Sequence, residues 1–212
     1  LSKIHPKTLS QQDRDDIAAL WDALNQHYEV LLQEAERLIF QKQFKQALPL
    51  FETLFYARET KRFPKSESAM RKKEMGLFLH VRLGMCCAKT GLFEKALQLL
   101  EAATQFQTTL RTESLKNEAL FLLALVQNEV HEYQAAGFSI EAFCKKSPSD
   151  EAFLLAYEVA MKLKDEEKMK AWEAHLTPSM LSKKELIKAK WMKEKGETAV
   201  AEEALKKLFR SD

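Results

Sequence analysis

Two cysteines stand side by side at Cys86 and Cys87, a third follows at Cys144, and five histidines occur at His5, His27, His80, His131 and His175. Thiolates and imidazoles are nucleophiles and metal ligands, so their spacing decides whether redox, hydrolytic or zinc chemistry is possible. The spacing fits none of these. The cysteine pair lacks the Cys-x-x-Cys separation. The histidines are scattered, without an HExxH pair or a cysteine at zinc distance. A nucleophile elbow, a phosphate-binding glycine loop and a dinucleotide fingerprint are also missing from the sequence. Small thiols suit a helix–helix contact instead. The abundant Asp and Glu belong to charged, solvated helix faces. The residues therefore predict a protein that is not an enzyme, with no catalytic residue, no metal ion and no cofactor.

A second chemical feature is a basic cluster in "ARETKRFPKSESAMRKK": Arg58, Lys61, Arg62, Lys65, Arg71, Lys72 and Lys73. Pro64 and the serines mark part of it as a loop. The preferred reading is a solvated linker that keeps the protein soluble. The alternative is a patch for an acidic protein or for nucleic acid. The formal net charge of +2 is too small to argue for nucleic acid by itself.

The elements that carry these residues follow from composition. Of 212 residues, 46% are apolar and 30% charged, with only 5 Gly and 5 Pro. So few turn-formers, with long apolar and charged periodicity, predict an all-helical chain. No run of about 18 apolar residues suggests a membrane span. No signal peptide is visible, and a start at Leu1 is expected of a trimmed or processed chain. The odd cysteine count suits a reducing compartment, so the expected location is cytoplasmic.

The segment "RLGMCCAKTGLFEKALQLLEAA", from Arg82 to Ala103, shows how the helices should pack. One helix ends near Gly91, where glycine takes the left-handed conformation at no steric cost. A second helix returns antiparallel. Small residues between large ones let two axes approach closely, which places Gly84 opposite Ala96. Leu83, Gly84, Phe93, Ala96, Leu100 and Ala103 resemble the tetratricopeptide repeat pattern, with His80 and Cys87 where that family prefers Trp and Tyr. The same template fits upstream at Leu31, Ala35, Leu38, Phe44, Ala47, Phe51 and Leu54. Downstream it fits at Leu120, Leu123, Ala124, Tyr133, Ala136, Ile140, Phe143 and Pro148. A C-terminal unit takes Ala189, Met192, Gly196, Ala201, Leu205 and Leu208. A degenerate one takes Ala156, Val159 and Trp172, with Lys168 where the small alanine belongs.

The resemblance implies a right-handed superhelical stack of antiparallel hairpins forming one continuous domain. An N-terminal segment and helix occupy residues 1–30. Three repeats with long connections span 31–148 (31–63, 77–110 and 117–148), and two degenerate hairpins fill 149–212. Ile17, Leu20, Trp21, Leu24, Tyr28, Leu31 and Leu32 recur at helical spacing, predicting one long helix from Gln11 to Gln41 with Ser10 as its cap. Ser182 and Glu185 form a capping-box pattern for a C-terminal helix.

The family generally holds peptides on the first helices of successive repeats. Carried onto this chain, that register gives groove positions Leu32, Glu36 and Phe40, then Phe78, Val81, Met85 and Lys89, then Phe121, Leu125 and Asn128. The basic clamp by which some members grip acidic chaperone C-termini is missing, since Leu32, Glu36, Arg82, Glu118 and Leu122 stand at the matching places. The resemblance therefore implies an adaptor or chaperone that binds a hydrophobic segment of another protein, similar in kind to the bacterial secretion chaperones. The alternative is a scaffold or regulatory subunit docking through its convex face or basic linker. A membrane is not an expected partner, and nucleic acid and small molecules are the less favoured ligands.

Overall fold

The computed structural model describes residues 11–60 and 69–208, and within them every regular element is a helix. The elements are α1 (Gln11–Phe40), α2 (Phe44–Glu59), α3 (Ala69–Lys89), α4 (Phe93–Thr104), α5 (Glu113–Glu129), α6 (Tyr133–Lys146), α7 (Asp150–Leu163), α8 (Glu166–Glu173), α9 (Pro178–Glu194) and α10 (Thr198–Leu208). None is long and apolar enough to cross a membrane. The long N-terminal helix matches its expected bounds, while Ser10 lies outside the described residues.

Five hairpins follow one another, and one backbone device closes all five. Each turn holds a single residue in the left-handed region: Lys42 (φ 59°), Gly91 (83°), His131 (67°), Lys164 (59°) and Gly196 (85°). In the second hairpin, the Leu92 N–H donates to Cys87 O at 2.8 Å and the Gly91 N–H to Ala88 O at 3.2 Å. The same pair of bonds recurs at Gln43, Glu132, Asp165 and Glu197, satisfying carbonyls that the ending helix leaves open.

Aligning the hairpins on these turns puts Ala35 and Ala47, Gly84 and Ala96, Ala124 and Ala136, and Ala189 and Ala201 at matching positions, all buried. That is the physical content of the repeat: two axes meet where side chains are smallest. The fourth hairpin departs from it, with the fully buried Tyr157 and the half-buried Met169 in those places. The sequence register had put Lys168 there. The structure moves it by one, to Met169, which follows the left-handed Lys164 at the same separation as Ala96 follows Gly91; the Asp165 side chain caps α8 by accepting from the Lys168 N–H. The side-chain atoms nearest a Cβ at Gly84 would be those of Leu100 and Leu99.

The sequence predicted one continuous domain; the helices cluster as two compact units, Leu1–Thr112 and Glu113–Asp212. In the N-terminal unit α1 packs on α2, α2 on α3, and α3 on α4. Glu36 of α1 meets Arg82 of α3 at 3.2 Å, and Glu52 of α2 meets Lys95 of α4 at 2.6 Å. First helices are thus tied to first helices, and second to second.

In the C-terminal unit the order continues through α5, α6 and α7, with α7 packing on both α8 and α9, and α9 on α10. Ala124, Ala136, Ile140, Ala152, Ala156 and Val159 form its core. Lys168 of α8 meets Glu141 of α6 at 2.6 Å, in the place that Lys95 and Glu52 hold in the other unit. The predicted capping box at Ser182 is not used. Thr177 and Pro178 start α9 one turn sooner, and the Thr177 hydroxyl donates to Asp150 Oδ2 at 2.7 Å.

Candidate functional site

The residues assigned to a groove divide sharply once placed. On α1, Leu32 and Phe40 stand one helical turn on either side of Glu36; on α3, Phe78 and Met85 flank Arg82 in the same way. Because Glu36 and Arg82 are in contact, these four apolar residues share one face of the N-terminal unit. The Arg82 guanidinium also lies over the Phe78 ring, 5.2 Å from its centre. Leu32, Phe78 and Met85 are half-buried, and Phe40 is 89% exposed. Lys89 is exposed at the end of α3.

Val81 does not belong to this face. It is fully buried, so it presents no atom to a partner, and its assignment to a groove is corrected.

The C-terminal positions are taken up by their own unit. Phe121 rests against Phe143, ring centres 5.1 Å apart, and both it and Leu125 pack against the core. Asn128 is buried with both ends of its amide engaged, donating to Glu158 Oε1 at 3.1 Å and accepting from Lys162 Nζ at 3.2 Å. Only 4% exposed and held from both sides by α7, Asn128 presents almost no surface to a partner, so it too is corrected.

Of the basic cluster, Lys61, Arg62 and Lys65 lie outside the described residues, as do the side chains of Arg71, Lys72 and Lys73. Arg58 is half-buried, pairs with Glu59 at 2.5 Å and lies against Gly76 of α3. It acts within the unit, bracing α2 on α3.

The thiols are the buried contacts expected of them. Burial pushes Cys86 up to about 12 and Cys144 up to about 11, and raises Cys87 as well. Thiols held so firmly protonated are poor nucleophiles and poor metal ligands. Among the described residues, no group of His, Cys, Asp and Glu could hold a metal ion.

One residue outside the expected groove and basic cluster stands out. The ring of His80 sits edge-on between Phe55, at 4.9 Å, and Phe106, at 5.1 Å. The one sequence signal was that His80 stands where the resemblance to the repeat pattern prefers Trp.

Neither a protein-family model, nor a curated protein, nor a solved structure matches this chain.

Proposed function

We propose that the hairpins are tetratricopeptide-like repeats, and that the chain is an adaptor or chaperone holding an apolar segment of a partner protein against α1 and α3. The observation that carries this is Phe40, a large aromatic left 89% exposed on a face that also bears Leu32, Phe78 and Met85. Single exposed apolar residues are ordinary, but several on one face form the kind of patch that partners cover. Arg82 supports an apolar ligand over an acidic one, since its charge is already engaged by Glu36 and the Phe78 ring. An amphipathic or extended segment inserting apolar side chains along the two helices suits such a face, and Met85 lends it adaptability.

The test is affinity capture from the native lysate with wild type beside a Phe40→Glu/Met85→Glu variant, both checked for helicity. A partner held by wild type and lost from the folded variant supports the reading. A partner retained by both overturns it.

A further inference from the structure

A cleft of about 500 Å³ lies between α2 and α4, with His80 and Leu83 of α3 among its lining residues. That volume is in the range of small-molecule sites. Phe55, Leu83, Leu99 and Ala102 supply apolar walls, and the Glu52–Lys95 pair at 2.6 Å closes charge on charge at the rim. The cleft is confined to the N-terminal unit and uses none of the residues of the α1–α3 face.

Glu52, Tyr56, Glu59, Lys95 and Gln98 bring polar groups to the cleft from α2 and α4, and His80 is its polar residue from α3. His80 Nδ1 is 2.8 Å from the backbone oxygen of Gly76. A carbonyl oxygen can only accept, so Nδ1 carries the proton and donates it. In that neutral tautomer Nε2 carries the lone pair and is the ring's acceptor. Burial holds the imidazole below its usual pKa, against the opposing pull of the Gly76 bond, so the ring is neutral at physiological pH. The cleft therefore combines aromatic and aliphatic walls with an imidazole acceptor whose orientation the Gly76 bond fixes. Such a site rewards a flat apolar body carrying one N–H or O–H donor, because aromatic rings pack favourably edge-on and offset.

We propose that this cleft binds a small aromatic molecule of the indole or naphthol type, its ring against the apolar walls and its donor on His80 Nε2. Two close analogues separate the donor from the ring: indole carries the N–H, and 1-methylindole has it replaced by N–CH₃.

The experiment is a nitrogen-edited NMR titration of the full chain with each compound, up to about 1 mM. Indole is expected to shift the His80 Nε2 resonance and the amides of Leu83 and Ala102. 1-Methylindole is expected to bind about three- to tenfold more weakly, the worth of one hydrogen bond. His80→Phe should remove that difference. Absence of shifts at Leu83 and Ala102 overturns the proposal, as does equal affinity for the two compounds on wild-type protein. The analogue comparison needs no mutant, so it stands even if the variant misfolds.

Discussion

Gly84 of α3 stands so close to Leu100 of α4 that a methyl group in its place would lie 2.8 Å from Leu100 Cγ. Leu100 is fully buried and has little room to give. The closeness of the two axes is thus a property of glycine at this one position, and it is what joins the second hairpin.

Gly84→Ala should therefore destabilise the protein. Overpacking costs about 1–3 kcal/mol, whereas alanine in a helix recovers only about 1 kcal/mol. Gly137 of α6 is the control: a methyl there would meet Val159 Cγ1 at 3.7 Å and Leu163 Cδ1 at 3.9 Å, ordinary contact distances. Gly137→Ala should stabilise by about 0.5–1 kcal/mol. Urea unfolding of both variants checks the pair. Shifts in the same direction would contradict the close approach at Gly84.

The five left-handed turn residues make a second test. Lys164 takes φ 59° without the freedom of glycine, so Lys164→Gly should gain up to about 1 kcal/mol. Gly91, at φ 83°, has open space around it, so Gly91→Ala should lose about 1 kcal/mol from backbone strain alone. Thermal unfolding would show the first midpoint rise and the second fall.

The buried thiols predict a pH dependence. An unfolded cysteine ionises near 9.0, whereas folded Cys86 and Cys144 do so at about 12 and about 11. The folded state therefore keeps protons that the unfolded state releases. Their contribution to stability is complete below pH 9 and is lost as pH rises through the folded values. Stability curves from neutral pH upward should decline across that window, and a triple Cys→Ala variant should decline less. All three thiols should also react with a maleimide only as fast as the protein opens.

Much of this architecture was legible because it depends on size and period. Gly84 with Ala96, or Ala124 with Ala136, can be read directly, since small residues at fixed separation have few explanations in an apolar helix. Gly91 announced its own turn. Lys42, His131 and Lys164 did not, because their conformation comes from the closing bonds around them and not from residue type. That is why α8 was misregistered at Lys168. Val81 was misplaced because a family register assigns a face but cannot say how deeply neighbours cover it. The division after Thr112 left no mark in composition. The cleft at His80 was invisible for a different reason: its walls come from residues between Glu52 and Ala102, on three helices, and only folding brings them together.

In the function proposed above, the face bearing Phe40 and Met85 engages a partner's apolar segment. The most direct measurement places a photo-crosslinking phenylalanine analogue at position 40, at position 85, and at Phe138 of α6, which is 75% exposed and lies outside that face. After irradiation in the native lysate, positions 40 and 85 should crosslink to the same partner, through apolar residues of one segment, and position 138 should not. Crosslinks equal at all three positions, or to that partner from 138 alone, would contradict the claim.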